Sequence, residues 1–274
     1  MLSALKNVLN FFINTNLFVA FCVLSLTMAS SILTKSTNFQ LAIFVFFATI
    51  FTYNIQRLIS VGLGTKHITK CFINQNFYLI ILIILITGFI SLYYLFNFQL
   101  KTQALVFVSA ILSLLYPIFL RKIPFLKIFL ISFVWTLITY FLLVIENDLV
   151  INSSVFFHFV SRYLFVFSIT IPFDIRDINI DIGKIKTIPN VYGEKKSQVI
   201  SICSLTVSFF IFLYFYTNNQ INLSSLLSLA LTFVLACVLI LKSTTKKNEL
   251  FFKFGIESIS IFFYAILFIS SCVI

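Results

Sequence analysis

Apolar runs long enough to cross a lipid bilayer recur nine times along this chain, at about 12–34, 40–61, 77–96, 104–120, 125–145, 155–174, 198–216, 224–242 and 255–273. At about 1.5 Å of rise per residue, helices of that length cover a hydrocarbon core. No water-soluble fold absorbs so many runs. The chain is 61% hydrophobic and 10% charged, whereas soluble domains carry about 25% charged residues. Too little polar surface remains to coat a globule in water. The expected fold class is an all-α integral membrane protein, a bundle of about nine transmembrane helices around a central cavity. The runs fill residues 1–274 as one transmembrane domain. Neither a soluble domain nor a cleavable leader is expected.

The basic residues sort the links between runs into two classes. With the N-terminus inside, the inner side collects Lys6, Arg57, Lys66, Lys70, Arg121, Lys122, Lys127, Arg176, Lys184, Lys186, Lys195, Lys196, Lys242, Lys246, Lys247 and Lys253. Only Lys35, Lys101 and Arg162 of the 19 basic residues fall outside. This asymmetry predicts a cytoplasmic N-terminus, and the expected location is a bacterial inner membrane. The net charge of +11 is read as topology, not as a nucleic-acid footprint. The longest inner links follow runs two and six, where chemistry at the membrane surface belongs. Five cysteines show no metal-binding spacing and read as buried apolar thiols.

The scarce carboxylates are not spread evenly. In "IPFDIRDINIDIGKIKTIPNVYG", residues 171–193, three of the four aspartates stand together. Asp174, Asp177 and Asp181 are spaced i, i+3, i+7. At about 100° per residue they share one helix face at the inner end of run six. Three carboxylates on one face repel each other unless a cation lies among them. Oxygen ligands suit Mg²⁺ or Ca²⁺, and Mg²⁺ commonly bridges to phosphate. Gly183 predicts a helix break, after which Lys184 and Lys186 supply ammonium groups, with Arg176 on the flanking face. Carboxylates, a metal and nearby cations together grip a diphosphate. The alternative is a solvated helix end of mixed charge.

"DIRDINIDIGKIKTIPNVYGEKKS" resembles the second aspartate-rich motif of the UbiA superfamily of intramembrane prenyltransferases, DxxDxxxD followed by Gly, basic residues and Thr. Asp174, Asp177, Asp181, Lys186, Thr187 and Gly193 carry the match, with Gly183 slightly early. Upstream, "LLYPIFLRKIPFLKIFLISFVW" resembles the YPxxKR segment through Tyr116, Pro117 and Arg121, with Leu120 at the usual Lys position. The resemblance covers nearly the whole chain and implies nine helices. It implies transfer of a polyprenyl group from a lipid diphosphate to a small lipophilic acceptor such as an aromatic quinone precursor. It implies Mg²⁺ held by Asp174, Asp177 and Asp181, with Asp177, Asp181 and Tyr116 catalytic. Asn54, Arg57, Arg121, Lys184 and Lys186 are then the expected diphosphate contacts.

One half of the pattern is missing. The first motif belongs at the end of run two as NxxxDxxxD or YxxDRxxD, but the chain reads "TYNIQRLISVGLG". Asn54 and Arg57 fit, while Gln56 and Ser60, or Leu58 and Gly62, occupy the carboxylate positions. A one-metal site is expected, with Arg57, Lys66 and Lys70 substituting electrostatically for a second ion. The rival reading is a catalytically impaired lipid-binding or partner protein. A transporter is the third, but it predicts charge near the midplane, and the charges lie at the inner edge. Glu257 and His67 read as an interfacial carboxylate and a loop histidine, and His158 and Arg162 as outer interface anchors. Arg121, Lys122 and Lys127 are divided between diphosphate binding and anionic-lipid contact.

Overall fold

A computed structural model describes residues 11–63, 70–181, 183 and 185–272. Among them nine helices are long and apolar enough to cross a membrane. They are α1 (Leu17–Thr34), α2 (Phe39–Gly62), α3 (Phe77–Leu95), α4 (Leu100–Ile118), α5 (Leu126–Glu146), α6 (Ser153–Asp181), α7 (Ile188–Thr217), α8 (Leu223–Leu241) and α9 (Phe251–Cys272). No strand occurs among the described residues. The expected all-α class and the nine spans hold. A π-turn, Leu137–Phe141, interrupts α5, and another, Phe251–Ile256, opens α9.

The helix limits follow local chemistry. Asn38 caps α2 by accepting from the Leu41 N–H, and Asn222 caps α8 by accepting from Ser225. Lys35 and Asn219 take left-handed conformations just beyond α1 and α7. Gly193, with φ 81° and ψ 170°, breaks α7 after its first turns. Only glycine adopts that conformation without strain.

The helices pack as a ring. α1 packs on α2 and α9, and the order continues α9–α8–α7–α6–α5–α4 and back to α2, with α3 outside against α2. Small polar side chains allow close approach at these contacts. The Ser161 and Ser208 hydroxyls lie 2.9 Å apart between α6 and α7, and Ser201 donates to the Ser168 carbonyl at 2.6 Å. At Gly88 of α3 a Cβ would come within 2.7 Å of the Phe51 ring. The main core gathers Phe165, Phe215, Phe252 and Phe263. Leu82, Leu85 and Phe89 of α3 point outward, a surface suited to lipid and not to water.

Polar contacts stitch the two ends of the ring. At one end the Phe125 N–H donates to the Lys186 carbonyl, joining the α4–α5 and α6–α7 links. Thr245, after α8, donates to Glu194 near the start of α7. At the other end Asn38 pairs with Asn147, and Ser154 with Gln220. Links that follow even-numbered helices thus meet at one end of the ring and links that follow odd-numbered helices at the other.

Two expectations need correction. His158 and Arg162 are not interface anchors. Arg162 is buried, donates to Ser30 Oγ at 2.9 Å and lies over the Phe263 ring. His158 stacks on Phe215 with centroids 4.0 Å apart. α1 and α9 cover this part of α6, which a single-helix reading cannot anticipate. Of the cysteines, only Cys22 is buried; Cys71, Cys203 and Cys272 are exposed on the helix exteriors and Cys237 is half-buried.

Candidate functional site

α6 runs 29 residues and carries the aspartates on its last turns before Gly183, which has φ 76°. As expected, they share one face, and that face is turned into the protein. Asp174, Asp177 and Asp181 are 1%, 8% and 2% exposed. They converge on one ammonium. Lys127 Nζ lies 2.6 Å from Asp174 Oδ1, 3.6 Å from Asp177 Oδ2 and 3.4 Å from Asp181 Oδ2. Arg121 Nη2 stands 3.8 Å from Asp181 Oδ1. Arg176 grips its neighbour Asp177 with two hydrogen bonds, of 2.7 and 3.0 Å. Three carboxylates face three cations, so the cluster is neutral as it stands. Buried groups of this kind persist only when paired.

Lys127 reaches this position because of how α5 begins. Pro124 precedes Phe125, whose φ of 62° is left-handed for a bulky side chain. Such a conformation costs about 1–3 kcal/mol. The Phe125 N–H bond to the Lys186 carbonyl, 2.9 Å long, holds it against the α6–α7 link. Lys127 follows in the first turn of α5. A cation there opposes the helix dipole, and the α6 carboxylates supply the compensation. The sequence held one signal for this: a lysine in a helix's first turn with no acidic residue nearby in the chain.

The C-terminal end of α2 is built differently. Asn54 is buried, donates to the Thr15 and Ile50 carbonyls and accepts from Asn16. Its hydrogen-bonding groups are all engaged. Arg57 donates to the Asn14 carbonyl at 2.7 Å and to Ile13 at 3.3 Å. Gln56 donates to the Ser113 carbonyl of α4 at 2.7 Å. The two residues expected to contact diphosphate from α2 therefore anchor the segment before α1. Lys6, Lys66, His67 and Lys184 lie outside the described residues, as does the Lys70 side chain. Lys186 is described, and its side chain is exposed. Glu257 of α9 is half-buried within electrostatic reach of Arg176, Lys253 and Arg57, which makes it an internal charge partner.

A cavity of about 170 Å³ lies between α1, α2, α4 and α5. Its walls include Val23, Phe44, Ala48, Leu130 and Ile138, and Trp135 Nε1 donates to the Tyr53 hydroxyl across it. Tyr116 lines it and is also within electrostatic reach of Lys127, Arg121 and Asp174. Tyr116 is thus the residue common to the apolar cavity and the charged cluster. α6 does not line the cavity.

The donor chemistry suits a hard divalent ion. The carboxylates share one face, and Asp174 Oδ2 is buried with no hydrogen-bond partner among the described residues. As arranged, however, the described residues contain no group of three acidic, His or Cys side chains spaced to hold a metal. The ammonium stands where the carboxylates converge. Arg121 Nε is likewise buried without a partner, leaving a free donor for an added anion.

Solved structures share this architecture. A UbiA homolog from Aeropyrum pernix K1 in its apo form matches with a TM-score of 0.72 at 13% identity, covering 93% of this chain and 97% of that one. A UbiA homolog from Archaeoglobus fulgidus bound to GPP and Mg²⁺ matches with a TM-score of 0.63 at 13% identity, over 94% and 99% of the two chains. A digeranylgeranylglyceryl phosphate synthase matches with a TM-score of 0.61 at 13% identity, over 98% of each. No curated protein matches the sequence. The family model of the UbiA prenyltransferases matches residues 74–267, from just before α3 into α9. On that match the chain, an integral membrane protein, belongs to the UbiA prenyltransferase family.

Proposed function

We propose that this protein transfers a polyprenyl group from a lipid diphosphate to a small lipophilic acceptor, of the aromatic quinone-precursor class, within the membrane. One observation carries the reading: three buried aspartates meet three cations, and Tyr116, within electrostatic reach of them, lines an apolar cavity. The solved homolog bound to GPP and Mg²⁺ supports it by fold. Residues 1–274 act as one domain, with the N-terminus and the aspartate end cytoplasmic in a bacterial inner membrane.

In this reading the diphosphate rests against Arg121, Lys127, Lys184 and Lys186, and the prenyl tail lies along the apolar cavity. Asp174, Asp177 and Asp181 would hold Mg²⁺, which would supply charge neutralisation for the leaving diphosphate. As the C–O bond breaks, the electron pair stays on the diphosphate. Fixed cations stabilise that charge more in the transition state than in the ground state. The allylic cation faces the rings of Tyr116, Tyr53 and Trp135, which favour positive charge and exclude water. The acceptor then forms its bond to the prenyl carbon and loses a proton.

A second reading has its own support. α2 offers no carboxylate, and Asn54 and Arg57 are engaged elsewhere. That pattern fits a lipid-diphosphate binder that has lost turnover. Purified protein, a panel of radiolabelled prenyl diphosphates, aromatic acceptors and Mg²⁺ decide between the two. Diphosphate release that requires Mg²⁺ and acceptor establishes the transferase. Saturable binding of the donor with no release establishes the binder.

A further inference from the structure

The cation among the aspartates belongs to the chain itself. Lys127 is the only group within 4 Å of all three carboxylates among the described residues, and it is buried with them. Its backbone cannot easily withdraw, because α5 starts at Phe125 in a left-handed conformation tied to the Lys186 carbonyl. Its long side chain can. With Arg121 and Arg176 in place the cluster already balances three negative charges with three positive.

We propose that Lys127 is a resident counter-cation that makes metal binding conditional on the diphosphate. A divalent ion arriving alone must displace the ammonium or raise a neutral buried cluster by two charges. Either is costly at short range in a low-dielectric site. A divalent ion arriving with a diphosphate brings compensating negative charge. The displaced Lys127 Nζ, together with the unpartnered Arg121 Nε, then has a phosphate oxygen to meet. Lys127 is thus a positioning residue that couples the two ligands. This rests on the diphosphate reading of the same site, and it adds an order that the aspartates alone do not impose.

Mn²⁺ retained by the full chain in a zwitterionic detergent, measured by equilibrium dialysis with free Mn²⁺ and Mn²⁺–pyrophosphate counted in the protein-free compartment, tests the coupling without turnover. Wild-type protein is expected to bind Mn²⁺ weakly alone and roughly tenfold or more tightly with inorganic pyrophosphate. Lys127→Gln is expected to bind Mn²⁺ alone roughly tenfold or more tightly than wild type, with the pyrophosphate enhancement reduced. Lys122→Gln, at an exposed neighbouring lysine, is expected to match wild type. Equal Mn²⁺ affinity in wild type and Lys127→Gln, or binding to neither, overturns the proposal. If Lys127→Gln fails to fold, Lys127→Met, uncharged and of similar length, takes its place with the same expected gain of roughly tenfold in Mn²⁺ affinity. In wild type, an Mn²⁺ affinity that pyrophosphate leaves unchanged overturns the proposal by itself. Prenyl diphosphate turnover is measured separately. Turnover with equal Mn²⁺ affinities sinks the resident cation and keeps the transferase. Switched affinities without turnover keep the resident cation and sink the transferase.

Discussion

The C-terminal ends of α2 and α6 lie four helices apart in the chain, yet they spend polar residues in opposite ways. The first precedes the link 63–76 and the second the link 182–187, which is shorter than the sequence suggested because α6 and α7 extend into it. α6 gathers three carboxylates and matches them with cations from α5, from the α4–α5 link and from its own Arg176. α2 has none, and its Asn54, Gln56 and Arg57 side chains satisfy backbone carbonyls of the segment before α1, of α2 itself and of α4. One end holds charge-paired ionic groups in which Asp174 Oδ2 and Arg121 Nε still lack hydrogen-bond partners. At the other the Asn54, Gln56 and Arg57 side chains are engaged with backbone carbonyls. Burial alone does not distinguish them; Asn54 is as buried as Asp174. What differs is whether the buried groups have bonding capacity left.

The largest expected effect breaks the α6 side. Asp177→Asn and Asp181→Asn are each expected to lower prenyl diphosphate turnover by about 100-fold or more, measured as radiolabelled diphosphate release from folded protein. Unchanged turnover removes these residues from the metal role. Next, an acid placed on α2 tests whether that end merely lacks carboxylates. Gln56→Asp removes the donor to Ser113 and leaves a half-buried charge facing a carbonyl. It is expected to cost about 2–3 kcal/mol in thermal unfolding with no gain in turnover. A gain would mean that α2 retains a latent metal position. Arg57→Gln follows, losing bonds to Asn14 and Ile13. It is expected to cost about 2 kcal/mol of stability with KM for the donor unchanged. A tenfold rise in KM at unchanged Tm would return Arg57 to the diphosphate site and erase the contrast.

How much of this was legible depends on the range of each signal. The spans, the segregation of basic links and the shared face of Asp174, Asp177 and Asp181 all follow from periodicity within one helix or from alternation along the chain. The break at Gly183 was equally local. Lys127 was undecided between lipid and diphosphate because its partners lie on another helix, 47 or more residues away in sequence. Arg162 and His158 were misplaced for the same reason: Ser30, Phe263 and Phe215, which bury them, come from α1, α9 and α7. Asn54 and Arg57 fitted a motif by residue type, and only the packing against residues 13–16 revealed their bonding.

The smallest expected effect concerns a solvent-exposed cation, Lys186. Lys186 contributes its backbone carbonyl to the Phe125 contact, while its side chain is exposed. A substitution at the side chain leaves that backbone bond intact. Lys186→Gln is therefore expected to leave Tm unchanged and to raise KM for a prenyl diphosphate by about two- to fivefold at low salt, a surface-charge effect that fades as ionic strength rises. The salt dependence separates a solvated cation steering the diphosphate from a buried one gripping it. A large KM effect that persists at high salt would mean that the α6–α7 link folds inward over bound substrate, and the charged cluster would then extend beyond the three cations that balance it here.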